Sequence, residues 1–281
     1  MTDPRILFED EDILLIEKPP GLVVNTADSI KGETVQDWMR ERVLAQPASD
    51  DWYRLLPDDF SEEYGSLVDI FLERAGMVHR LDKDTSGVLL LAKNPGSLVN
   101  LLAQFQQRTT QKEYTCLTHG VFAGTSDVIR LPIIRSMKER SKFQVAATGR
   151  PAETAYTVQK TYALGAERLL SLLRVAGLEK GQTDAQVLKT YQSYLQFSLV
   201  RCQPKTGRTH QIRVHFAFLQ HPLVGDHTYA NKWRAKADQL WCPRQFLHAS
   251  SLTFTHPRTK ERMTVESPLS ADLTAALAFL E

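Results

Sequence analysis

The chain has 281 residues, of which 42% are hydrophobic and 24% charged, and its formal net charge is +1. This composition is that of an ordinary globular protein and excludes wholesale disorder. A general polyanion binder would usually be more basic, so the net charge neither implies nor excludes nucleic acid, and local patches must decide.

The three cysteines, Cys116, Cys202 and Cys242, are far apart, and no Cys-x-x-Cys pattern occurs. A disulfide framework or a zinc ribbon is therefore not expected, and we predict small core or edge residues in a reducing compartment. The N-terminal sequence contains no apolar stretch like that of a signal peptide, and no run reaches the roughly 20 apolar residues of a membrane span. We expect a soluble, cytoplasmic protein without a membrane partner.

The first part of the chain predicts a hairpin, a helix and an insertion. In residues 5–24 two apolar runs flank an acidic turn and a Pro-Pro-Gly sequence follows, which is typical of a hairpin. Residues 34–46 place apolar side chains at helical spacing. Residues 46–64 carry prolines and acids without a clear period, and we predict an exposed insertion there.

The middle of the chain predicts strands around one helix. Residues 76–82 and 87–93 predict strands, and the second should be buried because it is a continuous apolar run. Residues 95–110 predict a helix with a proline near its start. The alternating pattern in residues 112–122 and 153–162 predicts two further strands.

The last part of the chain mixes helices and strands. Residues 163–190 predict a helix with a polar loop, and residues 191–203 predict a strand. Residues 209–220 predict a helix with a threonine cap. Two strands are expected within 246–269 and a capped helix in 270–280. Strands outnumber helices and connections are often short, which favours an α+β fold with a mixed or mostly antiparallel sheet.

The stretch VHRLDKDTSGVLLLAKN, residues 78–94, sets two aspartates in a turn directly before an apolar strand. One interpretation is a solvated turn, since Asp, Thr, Ser and Gly all favour local turns. The other is that Asp82 or Asp84 is held at the mouth of a rigid strand, where a carboxylate can act as a nucleophile or base. Such a carboxylate needs a cationic neighbour to stay ionised against desolvation.

Residues 201–215, RCQPKTGRTHQIRVH, are rich in basic side chains and contain no acid. The block is either a solvated basic face or a phosphate-binding one, in which the following helix aims its first amides at an anion. Arg213 favours a specific role because it lies between Ile212 and Val214, and a half-buried arginine usually has an acidic partner.

Tyr114, in KEYTCLTHG, is either a strand aromatic or a group that stacks on a base or carries a proton at its phenol. Signatures of metal and cofactor sites are missing. His210 and His215 are five residues apart rather than four, and no Walker A or G-x-G-x-x-G sequence occurs. We therefore expect neither a metal nor a cofactor.

These motifs together resemble a known family. VHRLDKDTSGVLLLAKN resembles the signature of the RluA-type pseudouridine synthases, and FEDEDILLIEKPPGLVV resembles the family's opening hairpin. The segments KEYTCLTHG, GRTHQIRVH, HPLVGDHTYA, RQFLHASSLTFTHP and ERMTVESPL resemble later blocks in the expected order. The likeness covers nearly the whole chain, apart from poorly matching insertions near 46–75 and 163–190.

The resemblance implies a fold as well as an activity. It implies one catalytic domain over residues 1–281, an α+β fold around a long, bent, mostly antiparallel sheet with an RNA cleft across its middle. It also implies that the S4-type RNA-binding domain of many relatives is absent. The activity implied is isomerisation of uridine to pseudouridine within RNA, which involves no net oxidation or hydrolysis and requires no cofactor.

Site residues follow from the same resemblance. Asp82 would be the catalytic aspartate, either as a nucleophile at C1′ or as a base at C2′, and Asp84 would be the turn residue beside it. Tyr114 would stack on the target base and assist removal of the C5 proton. Arg213 would pair with Asp82 and keep it charged and oriented.

RNA-binding roles are implied for four other residues. Arg80 would enter the space that the extruded nucleotide leaves. Lys112, Arg208 and His210 are candidates for contacts to the RNA backbone. The expected partner is a stem-loop of rRNA or tRNA, and the protein is expected to be a monomer.

Two other functions remain open from the sequence. The chain could be a non-catalytic RNA-binding or RNA-folding factor on the same fold, although Asp82, Tyr114 and Arg213 count against that. A weaker alternative is a glycosidase that uses Asp82 with another acid and releases free base.

Overall fold

The computed structural model describes residues 4–27, 31–44, 55, 66–179 and 181–281. Its strands are β1 (Arg5–Glu9), β2 (Ile13–Lys18), β3 (Ser86–Ala92), β4 (Gln111–His119), β5 (Ser126–Arg130), β6 (Ile133–Arg135), β7 (Phe143–Val145), β8 (Glu153–Ala163), β9 (Gln196–Pro204), β10 (Leu247–Thr255) and β11 (Arg262–Glu266). Its helices are α1 (Val35–Leu44), α2 (Leu67–Arg74), α3 (Pro95–Gln107), α4 (Ala166–Val175), α5 (Asp184–Thr190), α6 (Gln211–Phe218), α7 (Lys232–Asp238) and α8 (Ala271–Leu280).

The chain divides into two compact units. The first consists of Met1–Lys112 and Ala249–Pro268, and the second of Glu113–His248 and Leu269–Glu281. Each unit is therefore assembled from two separate stretches of sequence. The single catalytic domain predicted over residues 1–281 remains a prediction.

The first unit is built on antiparallel strands. β1 pairs with β2 and β2 pairs with β3, which confirms the predicted opening hairpin. Every residue of β3 is buried, as its continuous apolar run predicted. β10 and β11 form a further antiparallel pair, also as predicted.

Two helices of the first unit begin at side-chain caps. The Asn94 side chain accepts a hydrogen bond from the Ser97 N–H at 2.8 Å, and Pro95 fills the first turn of the predicted helix α3. Helix α2 was not predicted, and it begins after the N-cap Ser66. The insertion predicted at 46–64 lies outside the described residues, apart from the buried Leu55.

The strand predicted at residues 76–82 is wrong. Met77 forms only an isolated antiparallel bridge to Leu91. Gly76 has a φ of +76°, and a Cβ there would lie 2.1 Å from the Ala92 carbonyl oxygen. The chain turns at this glycine instead of continuing a ladder, so Arg80 and the residues after it form an irregular segment.

The second unit contains an antiparallel sheet in the order β4–β9–β8–β5. Tyr114 on β4 lies opposite Cys202 on β9, and Cys202 lies opposite Tyr156 on β8. Side chains from β4, β8 and β9 form a core cluster with Ile212 and Phe216 of α6. The sheet therefore carries both Tyr114 and the helix that contains Arg213.

Residues 163–190 form two helices rather than the predicted helix with a polar loop. Helix α5 starts at a capping box in which the Thr183 and Gln186 side chains each accept from the other's backbone N–H. A short 3₁₀ turn, Gln192–Tyr194, then leads into β9. Apolar side chains of this segment pack in a core cluster with Trp233, Trp241 and residues of α8.

Helix α6 does not begin at a threonine cap, so that prediction is wrong. His210 is the N-cap residue with a φ of +55°, and it makes no side-chain cap. Instead, the Thr206 hydroxyl and the Arg208 N–H donate to Oε1 of Gln211 at 2.6 and 3.1 Å. The first residue of the helix thus organises the loop that precedes it.

The α+β class with a mostly antiparallel sheet is confirmed, since the strand pairs above are antiparallel and the helices pack on them. All three cysteines are buried and free, which confirms their prediction as core residues. Among the described residues, no helix combines the length and apolar character that a membrane crossing requires.

Candidate active site

Asp82 begins a tight turn that leads directly into β3. The Thr85 N–H donates to the Asp82 carbonyl at 3.1 Å, and Lys83 and Asp84 between them are exposed. Thr85 is buried, whereas Asp82 is half-buried. The Asp82 backbone is thus held in a turn that leads into a fully buried strand, and the residue still reaches solvent.

The junction of this turn with β3 is fixed by Gly87. Its φ is +113°, and a Cβ there would lie 2.2 Å from the Ala249 carbonyl oxygen. Only glycine permits both this backbone conformation and this close approach. The glycine of the Thr-Ser-Gly sequence therefore sets the direction in which the chain leaves Asp82.

Lys18 supports the same turn and was missed by the sequence analysis. It is fully buried, and its Nζ donates to the carbonyls of Pro19, Leu22 and Lys83 at 2.7, 2.9 and 2.9 Å. The Gly21 N–H also donates to the Lys83 carbonyl at 2.9 Å. The Pro-Pro-Gly turn after β2 is thereby tied to the turn of Asp82. The signal in the sequence is a lysine that ends an apolar strand directly before two prolines.

His79 supports the segment before Asp82 as an uncharged ring. Its Nε2 accepts a hydrogen bond from the Leu90 N–H at 3.0 Å, and the ring stacks on Phe105 with centroids 4.7 Å apart. Burial, together with the nearby charge of Lys112, lowers the pKa of His79 to about 3. The next residue, Arg80, is exposed, as its predicted role in RNA binding requires.

Lys112 is half-buried at the start of β4. Burial, with a contribution from the charge of Arg108, lowers the pKa of Lys112 to about 8. Most molecules therefore keep this ammonium charged at pH 7. Its charge is compatible with the predicted contact to an RNA phosphate.

Tyr114 lies on β4, as predicted, and is half-buried. It packs against the core cluster that contains Cys116 and Cys202, whose sulfur atoms are 3.4 Å apart. The strands beneath the tyrosine are therefore closely packed. The residue is not fully covered, as contact with a planar ligand would require.

Arg213 is held by an acid that the sequence analysis did not single out. Its Nε and Nη2 donate to Oδ2 and Oδ1 of Asp226 at 2.7 and 2.9 Å, and the guanidinium lies over the Tyr229 ring at 5.1 Å. Arg213 is 5% exposed and Asp226 is fully buried. The expectation of an acidic partner for a buried arginine is met by this bidentate pair, which fixes the plane of the guanidinium.

Asp226 is itself held by a turn. Its Oδ1 accepts hydrogen bonds from the N–H groups of Thr228 and Tyr229 at 3.0 and 3.2 Å. The carboxylate therefore has both a charged partner and backbone donors, as a buried acid requires. The signal in the sequence is an aspartate that follows an apolar Leu-Val-Gly run in HPLVGDHTYA.

His210 and Arg208 lie at the start of α6, near Arg213. His210 Nδ1 pairs with the Tyr229 hydroxyl at 2.8 Å, and that hydroxyl also accepts from the Phe143 N–H at 3.0 Å. The Arg208 Nε donates to the Pro151 carbonyl at 3.1 Å. Tyr229 thus connects Arg213, His210 and strand β7, within the second unit.

The hairpin β6–β7 presents a basic tip. The segment SMKERSK, residues 136–142, joins its two strands. Met137 is 93% exposed, and Lys138 and Arg140 are also exposed. This hairpin is not predicted from the sequence, because its strands are only three residues long.

Predicted site residues thus fall into both units. The first contains Arg80, Asp82 and Lys112, and the second contains Tyr114, Arg208, His210 and Arg213. The structure brings Arg213, His210 and Arg208 together around the start of α6. The pairing of Asp82 with Arg213 remains a prediction.

One group of side chains in the described residues has ligand atoms close enough for a metal, namely Asp10, Asp12 and His256. These atoms already have partners. His256 Nε2 pairs with Asp10 Oδ2 at 2.8 Å, and Arg258 donates to both oxygens of Asp12 at 2.5 and 2.9 Å. A guanidinium on the same carboxylate opposes a cation, so this is an ion-pair network of the first unit.

Comparison with known proteins adds to this geometry. A family model described as RNA pseudouridylate synthase matches residues 12–218. The chain is 33% identical to a ribosomal large subunit pseudouridine synthase D of Nitrosomonas europaea, over 97% of this chain and 64% of that protein. It is 29% identical to a ribosomal large subunit pseudouridine synthase C of Pasteurella multocida, over 99% of this chain and 68% of that protein. The chain spans about two thirds of the length of these relatives.

A solved structure shares the fold. Human RNA pseudouridylate synthase domain containing 4 superimposes with a TM-score of 0.62 at 20% identity, covering 98% of this chain and 92% of that one. At this identity the likeness concerns the fold alone.

Proposed function

The chain belongs to the RNA pseudouridylate synthase family, and from this we propose that it isomerises specific uridines of RNA to pseudouridine, with Asp82 as the catalytic group. The N1–C1′ bond breaks, the uracil turns, and a C5–C1′ bond forms. The observation that carries the proposal is the fixed, half-buried position of Asp82 at the mouth of β3. A reacting carboxylate needs such a rigid support.

Asp82 acts in its ionised form, either as a nucleophile at C1′ or as a base at C2′. We propose that Arg213 keeps it ionised, since an opposite charge favours the charged form of a carboxylate. The bidentate contact from Asp226 supports this role, because it fixes the orientation of the guanidinium before substrate binds.

Tyr114 stacks on the uracil ring and assists removal of the C5 proton once C5 has joined C1′. Its packing against the core of the second unit supports this proposal, because a fixed ring makes a defined stacking surface. The target base must leave its helical stack for chemistry at C1′ and C5. Arg80, which is exposed, takes the place of the extruded nucleotide.

The remaining contacts are to the RNA backbone. Lys112, Arg208 and His210 are proposed to bind phosphates or sugars, and the basic tip of β6–β7 adds charge for the same purpose. We propose ribosomal RNA as the first substrate to test, because two relatives are named ribosomal large subunit pseudouridine synthases. A tRNA stem-loop is the other substrate, and the protein is proposed to act as a cytoplasmic monomer.

Asp82→Asn tests the assignment of the catalytic group. The substitution keeps the size of the side chain but removes its charge and nucleophilicity. We expect pseudouridine formation to fall by on the order of 10³-fold or more, while RNA binding is largely retained. Pseudouridine is measured by mass spectrometry of digested RNA, and binding by filter retention.

Asp84→Asn is the matched control, because Asp84 lies two residues away in the same turn and is exposed. We expect it to keep activity close to that of the unchanged protein. An Asp82→Asn protein that still isomerises uridine would refute the role of Asp82. Release of free uracil from the RNA by the unchanged protein would instead indicate a glycosidase.

Mapping of pseudouridines in cellular rRNA and tRNA, with and without this gene, identifies the substrate. The expected result is one or a few positions that lose pseudouridine when the gene is deleted. An unchanged map in both RNA classes would contradict the proposed substrates.

A further inference from the structure

A second buried acid of the second unit bonds to the residue that precedes Asp226. Asp238, at the end of α7, is fully buried. Its Oδ2 accepts the Gly225 N–H at 2.9 Å and pairs with His119 Nε2 at 3.0 Å. Its Oδ1 accepts the Tyr194 hydroxyl at 2.5 Å. A buried carboxylate with several donors is held in one orientation.

Gly225 has little freedom to move. Its φ is +71°, and a Cβ there would lie 2.0 Å from the Arg244 carbonyl oxygen and 2.6 Å from that of Cys242. The peptide on one side is therefore packed against backbone, and Asp238 receives its N–H. Gly225 and the next residue belong to one turn, in which the Asp226 N–H donates to the Leu223 carbonyl at 3.3 Å, so fixing Gly225 limits the orientations open to Asp226.

The next residue is Asp226, which holds Arg213. We propose that Asp238 is a positioning residue for the reaction: it fixes Gly225, and thereby the direction in which Asp226 meets the Arg213 guanidinium. This inference rests on the proposed function. Asp238 contacts neither substrate nor Arg213 in this role and acts only through the Gly225–Asp226 backbone.

The partners of Asp238 come from separate parts of the unit. His119 ends β4, while Tyr194 ends the helical segment that follows residue 163. The hydroxyl of Tyr194 accepts from Trp241 Nε1 at 2.9 Å. Burial and the adjacent Asp238 carboxylate raise the pKa of Tyr194, so the phenol stays protonated and donates a hydrogen bond to Asp238. The 3₁₀ turn Gln192–Tyr194, which follows the poorly matching segment 163–190, is thus linked to Asp238.

A purely structural network would affect stability without a specific effect on the chemical step. The distinction can be made with two tyrosines of the same segment. Tyr194 donates to Asp238, whereas Tyr191 donates to the Leu178 carbonyl at 3.0 Å, and both side chains are buried. Phenylalanine in place of either removes one buried hydroxyl, but Tyr194→Phe should cost more folding stability, because it also removes a partner from the Asp238 carboxylate and from Trp241 Nε1.

The first experiment therefore compares Tyr194→Phe with Tyr191→Phe in the full chain. We expect Tyr194→Phe to lower the single-turnover rate of pseudouridine formation roughly tenfold, with little change in RNA affinity, while Tyr191→Phe leaves the rate unchanged. Equal rates in the two variants, each measured well below its own unfolding temperature, would overturn the inference. An unchanged protein that forms no pseudouridine on any tested RNA would instead overturn the proposed function.

The second experiment is a double-mutant cycle between Asp238→Asn and Asp226→Asn. If Asp238 acts through Asp226, its substitution costs rate in the unchanged protein but adds little once Asp226 is already asparagine. Fully additive losses would refute the connection. Circular dichroism checks folding, and the tyrosine pair decides the question if Asp238→Asn does not fold.

Discussion

At the scale of single residues, the sequence reveals the site residues of the Asp82 turn and of the Arg213–Asp226 pair, here called the Arg213 clamp, but not the residues that hold them in place. Asp82 and Arg213 were both predicted as site residues. Asp226 and Lys18 were not, because their roles depend on which backbone groups the fold brings within hydrogen-bond distance. An acid after a glycine, or a lysine before a proline, has many surface uses, and only the tertiary structure shows that both side chains are buried.

Arg213→Lys tests the clamp. Lysine cannot donate to both carboxylate oxygens of Asp226 in one plane, so the cation loses its fixed orientation. We expect the single-turnover rate to fall roughly 10- to 100-fold, the effect of losing a hydrogen bond between charged groups. RNA affinity should change much less. The rate is measured on the RNA identified by mapping.

Arg130→Lys is a suitable control for that substitution, since Arg130 is exposed and pairs with Glu153 at 3.1 Å. Arg258 lies in a polar turn of the sequence but is a poor control, because it pairs with the buried Asp12. Equal losses in Arg213→Lys and Arg130→Lys would count against the clamp.

At the scale of elements, strong patterns predicted well and weak ones did not. The apolar run of β3 and the helical spacing of α3 both appear as predicted. The predicted threonine cap of α6 is wrong, because the Gln211 side chain accepts the hydrogen bonds from the loop that precedes the helix. The strands of β6–β7 are too short to show a period, so their basic tip emerged only from the structure.

The tip of β6–β7 makes a prediction about salt. Lys138→Ala with Arg140→Ala removes two exposed charges, and if both meet phosphates the slope of log affinity against log salt should become shallower by about 1.5 to 2. The rate at saturating RNA should remain unchanged, because neither side chain is assigned to the reaction. Binding is titrated between low and moderate salt.

The control for the tip is the pair Arg174→Ala and Lys189→Ala, which removes two exposed charges from the helical segment α4–α5. The overall charge changes equally in both double variants. A slope that shifts equally in both would show that net charge, rather than the tip, determines the effect.

At the scale of the whole molecule, each unit contains buried ion pairs that should give stability a dependence on pH. Burial raises the pKa of Asp12, but hydrogen bonds from Arg258 and Asn94 outweigh it and leave the pKa below its ordinary value. In the second unit, Arg244 and Ser270 likewise lower the pKa of Asp272 against the effect of burial. Both acids are therefore easier to ionise in the folded chain than in the unfolded one.

The sign of the effect follows from that difference. The stabilisation by Asp12 is fully present above its unfolded pKa of about 4, and it is lost as the pH falls through the lower folded value. Asp12→Asn should lower the free energy of unfolding at pH 7 by about 3 kcal/mol, near the low end for a buried pair because Arg258 is 40% exposed. Thermal unfolding of Asp12→Asn and of the unchanged protein from pH 7 to pH 3 measures this. The difference between their free energies of unfolding should narrow below pH 4. A constant gap would contradict the assignment.

The burial of all three cysteines has a practical consequence for experiments on this protein. Thiol-reactive dyes should react only slowly with these buried thiols. A cysteine introduced in place of the exposed Met137 would therefore be the sole site of rapid attachment. A fluorophore there would report nucleic-acid docking at the basic tip by a change in anisotropy. Slow labelling of the native thiols would, in the same sample, time the opening of the second unit's core.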